Sequence, residues 1–149
     1  MCILTLKRRY VNTFFEIFLK IFRGHTSGFF RLLIVAYINI SANMQALLER
    51  AAVVCDMNRG ELNNKYKVGA SVAAVRRGGA LQAIDAMNHF FLNQEMIVVG
   101  STYWNMVYGQ MPGDVLKDEE GIANMRNLGE NMAYLLKALD RQKGLEDTE

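Results

Sequence analysis

The sequence predicts an α/β domain built on a parallel sheet, and three observations carry that expectation. Two short runs of apolar residues without polar alternation, Lys67 to Ala74 and Met96 to Gly100, read as strands covered on both faces. Three longer segments, 41–57, 80–93 and 117–139, place apolar residues at three- and four-residue steps and read as helices. The two kinds of segment alternate, and a strand–helix–strand connection within one sheet is a right-handed crossover between parallel strands.

Composition agrees with a single globular domain. The 149 residues are 51% hydrophobic and 21% charged, which excludes a disordered chain. One proline in the whole chain excludes Pro-rich linkers. Cys2 and Cys55 are too few and too isolated for a disulfide framework or a structural zinc site. The net charge of +2 is unevenly spread, with +5 over residues 1–40 and −3 over residues 41–149.

At the front, Arg9 to Arg23 forms an amphipathic helical pattern. Val11, Phe14, Phe15, Phe18, Ile21 and Phe22 recur at helical steps, with Asn12, Glu16, Lys20 and Arg23 between them. Charges interrupt it before about 18 apolar residues accumulate, so it is not a membrane span. The charged run has no small-residue cleavage site, so a secretory signal fits poorly. Three readings stand open: a core or interface helix, a membrane-surface element or organelle presequence, or sequence foreign to the domain's plan. Gly24 to Gly28 breaks the pattern and makes His25 a solvated loop residue. Phe29 to Ala36 then reads as a buried strand.

From Ile40 onward the signals are regular. Ser41 can cap a helix running to about Met57, with Met44, Leu47, Leu48, Ala51 and Val54 on one face. Residues 59–64 make a turn-rich connection to the first of the two covered strands. Arg76-Arg-Gly-Gly79 is a tight loop, and the helix Ala80 to Asn93 turns Leu81, Ile84, Met87, Phe90 and Phe91 inward. After the second covered strand, Ser101 to Val115 reads as a long loop with an aromatic cluster. The last helix, Lys117 to Leu139, opens on Asp118, Glu119 and Glu120, acids that favour the positive end of the helix dipole. Met44, Met87, Met125 and Met132 read as core, Cys55 as core or boundary, and His89 as a packed or partly exposed helix residue.

Ligands of open parallel sheets bind in the loops that follow the carboxyl ends of the strands. Three such loops follow from the elements above: Tyr37 to Ser41, Val75 to Ala80, and the segment from Ser101 through Asn105 onward. In the second, paired glycines allow close approach to a flat or anionic ligand at a helix N-terminus, and two arginines add charge and stacking surface. A plain glycine turn with solvated arginines is the alternative. In the third, Tyr103, Trp104, Asn105 and Tyr108 suit a planar ring, a subunit contact, or a lid over the sheet edge. The chain has no Cys/His pairing, His-x-x-x-His spacing, Gly-x-Ser-x-Gly elbow or Walker-type loop. Its basic front lacks interleaved base-reading side chains, which argues against nucleic acid.

At these loops the chain becomes recognisable. Val68-Gly-Ala-Ser-Val-Ala-Ala-Val-Arg-Arg-Gly-Gly-Ala80, His89-Phe-Phe91, Met96-Ile-Val-Val-Gly-Ser-Thr-Tyr-Trp-Asn105 and Pro112-Gly-Asp114 resemble the flavodoxin-like NAD(P)H-dependent FMN reductases, in the branch of multimeric flavodoxins and iron–sulfur flavoproteins. Asp118-Glu-Glu-Gly121, Asn127-Leu-Gly-Glu-Asn-Met132 and Ile40 to Arg50 continue the likeness, which covers about residues 37–140. It implies a flavodoxin-like doubly wound parallel sheet, incomplete at its N-terminus, that binds FMN and passes electrons from NAD(P)H to an acceptor. It also implies that Tyr37, Asn39 and the loop Arg76, Arg77, Gly78, Gly79 border the flavin ring. Tyr103, Trp104 and Asn105 would lie near the ring or a subunit interface.

The family's opening strand and phosphate-cradling loop have no counterpart in Met1 to Gly28, and its Ser-Pro-Val-Tyr entry reads Leu33-Ile-Val-Ala-Tyr37 here. The expected layout is therefore a leader over 1–28, a flavodoxin-like domain over 29–140 and a polar tail over 141–149. Phosphate binding would be weakened or completed by a partner. No cysteine cluster accompanies the flavin motifs, so no iron–sulfur centre is expected. The resemblance further implies a cytoplasmic homo-oligomer, unless the leader acts as a presequence or membrane-surface helix. The competing reading is a non-catalytic interaction subunit or relic that does not hold FMN tightly.

Overall fold

The computed structural model describes residues 2–5 and 39–146. The amphipathic segment Arg9 to Arg23, His25, the expected strand Phe29 to Ala36 and Tyr37 lie outside the described residues.

Strand β1 is Cys2–Thr5, helix α1 Ala42–Met57, strand β2 Val68–Val75 and helix α2 Ala80–Asn93. Strands β3, Ile97–Val98, and β4, Met106–Tyr108, follow; a 3-10 turn over Asp114–Lys117 then leads into helix α3, Glu119–Glu146. β2 is the axis of the sheet. On one side it pairs in parallel with β3 at its start, Val68 opposite Ile97, and with β4 at its end, Val75 opposite Tyr108. On the other side it pairs antiparallel with β1, Cys2 opposite Val72.

The crossover through α2 links parallel strands as the pattern implies, whereas β1 and β4 are additions that the pattern does not show. Met-Val-Tyr is too short a run to show a strand period, and it sat inside what the pattern reads as one long loop. It becomes a strand because Ala73 N–H reaches Asn105 O at 3.0 Å and Gly109 N–H reaches Val75 O at 2.9 Å, so β2 finds its ladder partner again after β3 ends. α3 also starts and ends later than the pattern implies: Lys117 belongs to the 3-10 turn, and the helix continues to Glu146 through most of the expected tail.

Helices cover both faces of β2. Val68, Ala70 and Val72 pack with Val107 and Val115 against Met125, Leu128 and Met132 of α3. The opposite face, through Ala73, meets Ala80 and Ile84 of α2 together with Met106. Small residues on β2 let these layers approach: a Cβ on Gly69 would lie 2.9 Å from Met96 Cε and 3.3 Å from the Phe91 ring. α1 docks on α2 through Ile40, Met44, Leu48, Ala83 and Met87. That contact is narrower than the apolar stripe suggests, since Leu47 and Val54 of α1 stay exposed, as does Leu81 of α2. Two residues per helix face suffice where one helix rests on another rather than on a sheet. The four methionines expected in the core, Met44, Met87, Met125 and Met132, are all buried, and His89 is exposed.

Candidate functional site

β2 and β4 run parallel and end side by side at Val75 and Tyr108, so the chain leaving each strand emerges at the same edge. Between these two exits lies an open cleft of about 530 Å³. Arg76 and Arg77 form one wall, directly after β2; Tyr108, Gly109 and Gln110 form the other, and Asp114, Lys117 and Asp118 close its end.

The first wall is shaped by two glycines with different duties. Gly79 caps α2 at φ +84°, a left-handed conformation that costs a residue with a Cβ about 1–2 kcal/mol. Gly78 has an ordinary φ, and a Cβ there would meet nothing within 4 Å. Among the described residues nothing requires glycine at 78, and its backbone is uncovered there, next to the cleft. No side chain caps the N-terminus of α2, which leaves backbone N–H groups of its first turn available to an acceptor.

The second wall depends on a close approach and on two carboxylates. A Cβ on Gly109 would come within 2.7 Å of Val115 N, so the loop folds back tightly there. Asp118 Oδ2 accepts the Tyr108 N–H at 2.7 Å and Oδ1 accepts the Gly121 N–H at 2.9 Å, which caps α3 and ties it to the end of β4. Asp118→Ala removes both bonds and is expected to cost about 2 kcal/mol. A thermal melt should then show a midpoint lower by roughly 4–8 °C, and Asp118→Asn should recover part of it. Asp114 Oδ2 accepts the Met111 N–H at 2.8 Å while Oδ1 pairs with Lys117 Nζ at 2.9 Å.

These contacts decide the electrostatics of the cleft. The hydrogen bond from Lys117, and then the Met111 N–H, hold the Asp114 carboxyl below its ordinary value; Asp114 in turn raises the Lys117 ammonium. The pair is thus kept at neutral pH and breaks in acid, as Asp114 protonates through its lowered value, or in strong alkali, as Lys117 deprotonates through its raised one. Both acids are occupied by partners within the loop. Arg76 and Arg77 have no hydrogen bond or ion pair among the described residues. With Asp114 and Lys117 paired, Arg76 and Arg77 outweigh the hydrogen-bonded Asp118 carboxylate among the lining residues, so the described cleft is net positive, and with a tyrosine ring alongside it can take a planar, anionic ligand.

Of the residues singled out in the sequence, Arg76 and Arg77 line this cleft and Gly78 and Gly79 carry the chain from it into α2. Asn39 is exposed ahead of α1, with Oδ1 accepting the Ile40 N–H at 2.7 Å. Tyr103, Trp104 and Asn105 are not brought to the cleft, because they precede β4 and sit at its opposite end against α3. Asn105 is buried, its Nδ2 donating to Val99 O at 3.3 Å and its Oδ1 without a partner among the described residues. Sequence reasoning missed Asp114, Lys117 and Asp118 as wall residues. The signal was present in the turn chemistry of Pro112-Gly-Asp114 and in the acid immediately ahead of α3.

Residues 35–110 match the family NADPH-dependent FMN reductase. The chain belongs to that family. The matched span contains β2, α2, β3 and β4, with both arginines and both loop glycines. Among curated proteins, the chain is similar to two iron–sulfur flavoproteins of Methanocaldococcus jannaschii. One is 32% identical over 108 residues, 68% of this chain and 54% of the relative. The other is 26% identical over 116 residues, 72% of this chain and 56% of the relative. The chain thus spans about half the length of the curated relatives it matches. No solved structure matches it. Among the described residues, no helix is long and apolar enough to cross a membrane, and no group of three or more His, Cys, Asp or Glu side chains is placed to hold a metal ion.

Proposed function

We propose that this chain binds FMN at the cleft between the ends of β2 and β4 and acts as an oxidoreductase, passing electrons from NAD(P)H through the flavin to an acceptor. The observation that carries the reading is the pair of arginines, Arg76 and Arg77, which have no partner among the described residues and adjoin a glycine backbone that none of those residues covers. The family match supports the flavin. The volume of the cleft lies in the range of ligand pockets, roughly 300–1,000 Å³.

The residues fit the group. FMN joins a planar ring to a phosphate-bearing chain, and when bound it supplies the two-electron chemistry that side chains lack. Gly78, next to the cleft in the chain, would let the ring approach the backbone, the N–H groups at the start of α2 would be donors for its polar edge, and the guanidinium groups of Arg76 and Arg77 would balance negative charge on the ligand. Tyr108 offers an aromatic wall, and Asp118 holds that wall in place through the Tyr108 N–H. No side chain of the cleft has to act as a proton donor for this work. Two cysteines in the sequence supply at most two thiolates, so the proposal includes flavin alone and no cluster.

Residues 29–140 would form the body of the flavin domain, with β1 of the expected leader over 1–28 added to its sheet and the last helix running on into the polar segment after 140, in a cytoplasmic homo-oligomer. Gly78→Ala separates the fold from the site. Its Cβ meets nothing among the described residues, so stability should hold or rise by about 0.4–1 kcal/mol, while FMN affinity falls because the methyl group enters the space assigned to the ring. The activity is tested by adding NADPH or NADH anaerobically to the FMN-loaded protein. Bleaching of the oxidised-flavin absorption is expected, and a spectrum unchanged by either nucleotide would remove the donor from the proposal.

A further inference from the structure

Helix α1 carries an apolar strip that none of the described residues covers. Leu47, Val53, Val54 and Met57 are all exposed, Val53 to 55% and Met57 to 79%. With 3.6 residues per turn, the four side chains fall within about 120° of the helix circumference. That arc lies beside the Met44 and Leu48 face that docks on α2. Single exposed apolar residues are ordinary on a surface, but four grouped on one side of a 16-residue helix mark a contact. Arg50 is exposed within the same arc, where its aliphatic stem can lie along apolar surface with the charge at the rim.

The chain outside the described residues starts near one end of α1 and finishes at the other. Thr5 pairs with Gly69 near the start of β2. The last turn of α1 sits at that same end of the domain. Cys55 Sγ accepts from Asn64 Nδ2 at 3.2 Å, Asp56 Oδ1 accepts from Gln94 Nε2 at 3.3 Å, and the Tyr66 N–H donates to Glu95 O at 3.1 Å. Asn39 and Ser41 stand at the head of α1, about 24 Å of helix away. Residues 6–38 therefore have to pass from one end of α1 to the other. Within them, Arg9 to Arg23 repeats apolar residues at helical steps, a length of about 22 Å as helix and close to that of α1. Its formal charge is +2, against −1 over residues 42–62, which are α1 and the turn after it.

We propose that the run from Val11 to Phe22 packs on the Leu47, Val53, Val54 and Met57 side of α1, so that the front of the chain is a layer of the domain itself. A segment joined to the domain at both ends of that helix meets it at an effective concentration that a free partner does not reach, which favours this occupant over a second copy. The opposite charges favour it as well, at moderate ionic strength. Phe14, Phe15, Phe18 and Phe22 supply the bulk that a strip of leucine, valine and methionine can bury. Under this assignment residues 9–23 are neither a removable presequence nor a membrane address. The assignment stands whether or not the cleft holds flavin.

Hydrogen–deuterium exchange of the full-length protein, read by mass spectrometry, tests the contact. Backbone amides of residues 11–22 are expected to exchange at least about tenfold more slowly than those of a free peptide of the same sequence. Val54→Asp places a charge in the contact and should speed exchange over 11–22 about tenfold, with α2 and β2 unchanged. Phe18→Asp should speed exchange in α1, residues 42–57, by a similar factor. Leu47→Ala only shortens a side chain; it should speed exchange over 11–22 about threefold and covers the case in which Val54→Asp does not fold. Exchange over 11–22 at the free-peptide rate, or protection that no folded α1 variant reduces, overturns the proposal. Protection that appears only as protein concentration rises, with a dimer that Val54→Asp dissociates on gel filtration, overturns it in favour of a second copy. Protection that appears only with vesicles of anionic phospholipid overturns it in favour of a membrane surface.

Discussion

Replacing Arg76 and Arg77 together by alanine is expected to weaken FMN binding about 100-fold while leaving the folded domain intact. Both side chains are exposed and without partners among the described residues, so their loss breaks nothing inside the protein. Each charge-assisted hydrogen bond to an anionic ligand contributes roughly 1.5–3 kcal/mol, and two of them account for an effect of that size. The single variants should each lose about tenfold. Lysine at either position should recover charge but not planar stacking, and so only part of the affinity. Equal FMN affinity in wild type and the double variant, with unchanged melting temperature, would move the flavin away from this wall.

The second large effect concerns the layer that holds the cleft in place. Leu128 is fully buried where α3 meets β2 and β4, among Val68, Val107, Met125 and Met132. Leu128→Ala should destabilise the protein by about 2–5 kcal/mol, through lost burial and the cavity left behind. Against a total of roughly 5–15 kcal/mol, that is a large share. The loss also reaches the site, because Asp118 at the head of α3 ties down the Tyr108 N–H. A urea titration followed by circular dichroism measures the change. Leu128→Met, which conserves volume, should cost less than about 1.5 kcal/mol. A cost for Leu128→Ala below that of the Met variant would contradict the assigned packing.

Much of this architecture was legible in the chain because its elements carry strong local signals. α1 begins after Ser41, whose Oγ accepts the Met44 N–H at 3.3 Å, and α2 spans Ala80 to Asn93 as its apolar steps imply. β2 could be read as a strand covered on both sides because small and apolar residues fill it without polar alternation. β4 could not, since three residues do not establish a period and its identity as a strand is settled by pairing with Ala73 to Val75. The exposed Leu47 and Val54 show the same limit from the other direction: an apolar stripe states what could be buried, and the neighbour decides how much of it is.

The site divided in the same way. Arg76 to Gly79 stood out as paired cations and paired glycines in a short loop, although a plain glycine turn with solvated arginines reads the same in sequence. Its opposite wall was hidden because Asp114, Lys117 and Asp118 serve the backbone and each other, and such turn and cap residues look alike whether or not they border a cleft. Tyr103 and Trp104 stood out by residue type, but type alone does not say at which end of a strand a side chain emerges. The three-residue strand β4 places them on one side and the cleft on the other.

The central claim is that this chain carries FMN, and the visible spectrum of the purified protein tests it most directly. After incubation with FMN and gel filtration, an oxidised-flavin absorption is expected to co-elute with the protein and to be reduced in Gly78→Ala. Colourless protein that takes up no added FMN would contradict it and leave the chain as a non-catalytic interaction subunit.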